Sequence, residues 1–168
     1  MLDKKVVVSS VDFKRRGFLR MDLSHQAKPI RPPWAIKESL FQDACTQCGD
    51  CLPVCPTHIL KQENTNGYPI ADFNLGECTF CGDCPSVCPT AALDKAQVTA
   101  WSYKAKVKET CLASQQVICT TCAEQCELDA IRFKPQLGKV AEPEIDVDVC
   151  TGCGACVATC PSQAIEVC

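Results

Sequence analysis

The apolar positions of this 168-residue chain are scattered in short clusters rather than gathered into long periodic runs. No stretch approaches the ~18 consecutive apolar residues of a membrane span. The clearest regularity is an apolar pair that returns four times, as Ile59-Leu60, Ala92-Leu93, Ala130-Ile131 and Ala164-Ile165. Each pair follows a cysteine at the same offset, and those cysteines lie 33, 38 and 34 residues apart. A repeat of that length suits a turn, a short helix and short strands. Alternation across Val98–Val107 predicts a strand that lays Trp101 and Tyr103 over the repeats. Upstream, the prolines of residues 29–34 hold the chain extended as a stiff boundary. The folded body is expected to begin near residue 34.

So few large apolar side chains make a thin core, which needs staples. The chain has 17 cysteines, against 6% aromatic residues. Cysteine density of this kind means either a disulfide-rich secreted domain or ligation in a reducing compartment. Most of the cysteines stand two or three residues apart, too close for most of them to pair within a run at normal disulfide geometry. Short spacings instead let successive thiolates converge on one inorganic core.

The formal charge of −3 is uneven. Residues 1–20 carry six Lys/Arg against two Asp, a local +4 that leaves −7 for the remainder. An acidic body argues against nucleic acid as a partner. Lys14-Arg-Arg-Gly-Phe-Leu-Arg20 resembles a twin-arginine export motif, yet the residues that follow are charged and broken by Pro29 instead of forming an apolar segment. Two readings of this arm stand: a charged helical or disordered tail, and a docking element without export. Either one keeps the chain in the cytoplasm.

Three complete C-x2-C-x2-C-x3-C-P runs are present: Cys45, Cys48, Cys51 and Cys55; Cys78, Cys81, Cys84 and Cys88; Cys150, Cys153, Cys156 and Cys160. This is the bacterial ferredoxin pattern for [4Fe–4S] clusters. Three cysteines two residues apart wrap a loop around three irons of a cube. Gly49, Gly82 and Gly154 stand where the backbone must pass close to it. The proline after each run is expected to open a short helix. A modified repeat holds Cys119, Cys122 and Cys126, with Glu127 replacing proline and Gln116 at the first-cysteine position. Cys111 is the available substitute.

In this pattern the last cysteine of each run serves the neighbouring motif's cluster. Pairing adjacent repeats therefore groups Cys45, Cys48, Cys51 with Cys88, and Cys78, Cys81, Cys84 with Cys55. The second module groups Cys150, Cys153, Cys156 with Cys126, and Cys111, Cys119, Cys122 with Cys160. Three complete motifs and the modified fourth make four clusters, and Cys168 is left over. Zinc sites generally use two separated cysteine pairs, which these runs do not resemble. His25 and His58 stand alone and read as surface residues. The expected architecture is α+β: two tandem bacterial-ferredoxin-like 2[4Fe–4S] modules with little regular secondary structure, residues 34–100 and 101–168. A basic N-terminal arm with its proline-rich boundary, residues 1–33, precedes them.

Residues outside the cysteine runs carry a closer likeness. Arg15-Arg-Gly17, Arg31-Pro-Pro-Trp34, Gly67-Tyr-Pro69, Cys111-Leu-Ala113 and Glu127 together resemble the NapF family of ferredoxin-type accessory proteins of periplasmic nitrate reductase systems. The resemblance implies a cytoplasmic protein that meets the precursor of the molybdenum-containing catalytic subunit. It also implies a part in maturing that subunit before twin-arginine export.

Three functions fit the same cysteines: a maturation factor, an electron carrier or electron-transfer subunit of a respiratory chain, and a structural module stapled by clusters. The arm and the family residues favour the first. Four close clusters exceed what stapling needs. No Ser/His/Asp order, Rossmann or phosphate loop, or acid–base pair suggests an enzyme in its own right.

Overall fold

Where cysteines crowd a loop, long elements cannot form, and only short ones occur in the computed structural model, which describes residues 29–64 and 66–168. In chain order they are α1 (Glu38–Ala44), β1 (Leu60–Gln62), β2 (Pro69–Ala71), α2 (Asp83–Ser86), β3 (Ala105–Val107), α3 (Thr121–Glu124), β4 (Ile131–Gln136), β5 (Lys139–Ile145), α4 (Ala155–Ala158) and β6 (Ile165–Val167). Strands pair only in antiparallel twos: β1 with β2, β4 with β5, and β3 with β6. No helix among the described residues is long and apolar enough to cross a membrane.

The recurring apolar pair organises both halves. Its first member is at most 1% exposed and its second 4–6% in every copy. Leu60, Ile131 and Ile165 each open a strand, and Leu93 forms a single bridge with Ala35. Each half thus has an inner hairpin, β1–β2 or β4–β5. Each is also closed by pairing its leading segment with the residues after its last motif: Ala35 with Leu93, and β3 with β6. Two halves built the same way are a tandem of ferredoxin-like modules, and Val157 packs against the apolar cores of both.

Three expectations need correction. The helical turns do not follow the Cys-Pro steps; α2, α3 and α4 precede them and carry Cys84, Cys122 and Cys156. Proline disfavours a helical conformation in the residue before it, and Cys88 and Cys160 lie outside the turns, although Cys84 stays helical before Pro85. The turn α3 stops at the same point ahead of Glu127, so proline is not the sole cause. The strand expected over Val98–Val107 is confined to β3. The alternation instead reflects packing of Trp101 against Phe73 and Phe80, with ring centroids at 5.7 and 5.4 Å.

Packing also reaches further towards the N-terminus than residue 34. Arg31, Pro32 and Pro33 are buried. The Arg31 guanidinium lies 2.7 Å from Glu38 and 3.2 Å from Glu63, and 5.3 Å from the ring centres of both Phe41 and Tyr68. A buried cation survives only when paired in this way. Residues 1–28, which carry the basic arm, Arg15, Arg16 and His25, lie outside the described residues.

Candidate iron–sulfur centres

Each complete run folds around two backbone reversals. The residue before the second cysteine is left-handed in all three, with φ of 58° at Gln47, 53° at Phe80 and 74° at Gly152. The glycine after the second cysteine is left-handed as well, at 82° in Gly49, Gly82 and Gly154. Two such reversals curl the loop so that its thiols face one point, and the third thiol arrives on the helical turn. The residue three beyond the last cysteine is left-handed at His58, Asp129 and Gln163, which hands the chain on to the strand.

Hollows in the fold bring cysteines of neighbouring motifs together. Cys45, Cys48 and Cys51 line one together with Cys88. Cys55 leaves its own run and lines another with Cys78, Cys81 and Cys84. Cys126 joins Cys150, Cys153 and Cys156 around a cavity of about 360 Å³, which Cys78 also borders.

The modified repeat departs from this geometry. Ile118 and Thr120, at the two reversal positions, are not left-handed there. The chain instead makes a helical turn after Cys111 that ends at Gln116. There φ is 64°, the Gln116 amide donates to Ala113 and the Val117 amide to Leu112 at 2.9 Å. These are the two bonds that close a helix on a left-handed residue. Gln116 therefore ends a turn, and its side chain accepts from the Val140 amide at 3.2 Å. Cys111, at the head of that turn, is with Cys119 a neighbour of the Cys122 thiol. Cys160 packs against the same apolar cluster as Cys122.

Burial sets the thiol chemistry. Cys51, Cys84 and Cys156 are pushed up to about 12, and Cys78 and Cys122 to about 11, first by burial and then by neighbouring thiols. Cys55 and Cys160 go the other way. Burial opposes their ionisation, yet the Thr57 hydroxyl, the Ala164 amide and other donors together hold both below the usual thiol range. Sequence reading missed these donors. A hydroxyl stands two residues after the last cysteine as Thr57, Thr90 and Ser162, 3.5–3.7 Å from the sulfur, and the modified repeat has Leu128 there. That spacing was the available signal. His58 is exposed, as is Cys168, whose backbone pairs with Lys104.

The donor sets fit [4Fe–4S] clusters. They are all-thiol, the ligand type suited to iron–sulfur chemistry. Among the described residues no three Cys, His, Asp or Glu close tightly enough for a single ion. In the three sets that line a hollow together, the spread of the cysteines matches a larger inorganic core.

Residues 44–92 and 117–164 each match the 4Fe-4S dicluster domain family; the second match begins beyond Cys111. The chain is 48% identical over 138 residues to the ferredoxin-type protein NapF of Haemophilus influenzae, covering 82% of this chain and 78% of that one. It is 39% identical over 155 residues to the ferredoxin-type protein NapF of Escherichia coli K12, covering 92% and 94%. The ferredoxin-type protein NapG of Haemophilus influenzae is 30% identical over 82% of this chain and 57% of its own length. With two dicluster domains and relatives matched over most of both chains, the protein belongs to the NapF family of ferredoxin-type proteins.

Proposed function

We propose that the protein holds four [4Fe–4S] clusters and acts in the cytoplasm as an accessory factor in maturing the catalytic subunit of periplasmic nitrate reductase. Its client is the precursor of that subunit before export, and the protein is not an enzyme in its own right. The ligand sets are Cys45, Cys48, Cys51 and Cys88; Cys55, Cys78, Cys81 and Cys84; Cys126, Cys150, Cys153 and Cys156; Cys111, Cys119, Cys122 and Cys160. Residues 34–100 and 101–168 form the two modules, and residues 1–33 the arm. Bound [4Fe–4S] clusters take up and release single electrons. The chain's own part is to bury at least one thiol of each run, Cys51, Cys84, Cys122 and Cys156 among them, and to aim hydroxyl and amide donors at others such as Cys55 and Cys160.

The observation that carries this reading is membership of the NapF family over 92% of the chain, supported by hollows that cysteines of neighbouring motifs line together. A second reading, a carrier or electron-transfer subunit of an anaerobic respiratory chain, is supported by the adjacency of the cysteine sets.

Anaerobic purification with iron and sulfide quantitation, followed by capture of the reductase precursor, tests both parts. About sixteen irons per chain are expected when four sites fill. A reproducible value near twelve, unchanged by Cys111→Ser, would remove the site at Cys111. A fully loaded protein that does not retain the precursor would favour the carrier.

A further inference from the structure

We propose that the two modules are locked into one body in which the four cysteine sets form a single row, with Trp101 and Phe73 as the residues that position its middle link. The proposal rests on the ligand assignment above. The order is the Cys45 set, the Cys55 set, the Cys126 set and the Cys111 set.

The middle link joins ligand loops of different modules. The Cys78 amide donates to the Cys153 carbonyl at 2.8 Å, and Cys78 borders the cavity that Cys126, Cys150, Cys153 and Cys156 line. The Trp101 ring meets Phe80, inside one loop, edge-on at 75°, while its Nε1 donates to the Thr151 carbonyl of the other loop at 3.0 Å. Trp101 also meets Phe73 at 82°, and Tyr103 packs against it with ring centroids 6.0 Å apart.

The glycines of the last motif are shaped to this junction. Gln47 and Phe80 adopt the left-handed turn with side chains in place, so backbone conformation alone does not demand glycine at 152. A Cβ on Gly152, however, would stand 2.2 Å from the Tyr103 carbonyl oxygen. A Cβ on Gly154 would stand 2.0 Å from the Phe73 ring. The matching glycines differ: Gly49 has its first neighbour at 3.7 Å, and Gly82 meets only the flexible end of Lys95. The last motif thus carries no side chain at either position where Phe73 and the Tyr103 backbone seat themselves.

The outer links lie within modules. Cys51 and Cys84 are buried in one apolar cluster, and Cys122 and Cys156 in the other. Three contacts between four sets make a row, whereas two independent modules would supply only two.

Pulsed EPR on the dithionite-reduced, anaerobically purified full-length protein reads the row as dipolar couplings between reduced clusters. Iron and sulfide content, measured alongside, reads the ligand assignment separately. The wild type is expected to show three nearest-neighbour couplings, and Trp101→Phe to keep them. Trp101→Ala and Phe73→Ala are expected to lose the middle one at unchanged iron content. If only three clusters fill, the middle link remains as one of two couplings and the variants lose it alone. Two separately coupled pairs in the wild type would overturn the row. Three couplings surviving in both alanine variants, or loss of their clusters outright, would overturn the positioning role of Trp101 and Phe73.

Discussion

The Thr57 hydroxyl lies 3.5 Å from the Cys55 sulfur, two residues upstream. Toward a thiolate the hydroxyl can only donate, and a donor stabilises the more negative, reduced state of whatever the sulfur binds. Thr57→Val keeps the shape and removes the donor. The cluster assigned to Cys55, Cys78, Cys81 and Cys84 should then be harder to reduce, by roughly 20–60 mV for one hydrogen bond. Leu128→Thr supplies the hydroxyl that the modified repeat lacks and should raise the potential of the cluster assigned to Cys126. Redox titration followed by EPR measures both. Shifts of the same sign in the two variants would refute the assignment of these hydroxyls as donors.

The proposed crossed ligation would make a distant site the casualty of a local change. Removing the Cys55 sulfur should damage the cluster assigned to Cys78, Cys81 and Cys84, whose hollow Cys55 lines, and spare the one assigned to Cys45, Cys48 and Cys51. In Cys55→Ser, spectroscopy should show one altered cluster, and further loss on adding Cys48→Ser. If the second substitution changed nothing more, both cysteines would serve one site and the crossing would be wrong.

Arg31 tests the N-terminal edge of the fold. Lysine cannot reproduce its paired contacts to Glu38 and Glu63 or its stacking on Phe41 and Tyr68. Arg31→Lys should cost about 1–3 kcal/mol of stability, read from denaturant midpoints. The Arg31 hydrogen bond holds the Glu38 carboxyl below its usual range. A lowered folded pKa contributes stability above the unfolded value that is lost as pH falls through the folded one. The variant's deficit should therefore shrink on acidification. A deficit that grew instead would mean the carboxylate is not the partner that matters.

The cysteine runs, and which of their members come to share hollows, were legible because ligand spacing is local and chemically strict. The modified repeat was legible because its apolar pair, Ala130-Ile131, kept register after the proline was gone. What resisted reading depends on neighbours distant in sequence. Trp101 and Tyr103 alternate as a strand would, but tertiary packing on Phe73 and Phe80 overrode that pattern. Residues 31–33 looked like a boundary because proline stiffness is visible in sequence. The partners that bury Arg31 lie up to 38 residues away. Gly154 reads from sequence only as a glycine beside the cluster and nothing there marks Gly152; the approach of Phe73 and Tyr103 to them belongs to the fold alone.

Loading should depend on pH beyond the range of ordinary thiols. Burial first, and neighbouring thiols second, push Cys51, Cys84 and Cys156 up to about 12 and Cys78 and Cys122 to about 11, against an ordinary 9.0. In the metal-free fold these thiols keep their protons where unfolded ones have lost them. As pH rises above 9, the unfolded chain therefore binds fewer protons than the fold, and the metal-free fold loses stability up to about 12. Ligation runs the opposite way, because iron takes the thiolate and releases the proton, so rising pH favours the loaded form. Anaerobic reconstitution with ferrous iron and sulfide against a fixed chelator concentration should thus load steadily more iron as pH rises from 7 to about 10. Ordinary exposed thiols would level off near 9. A plateau there would show that the buried cysteines ionise as free ones do, and that the fold does not hold them protonated in advance of the metal.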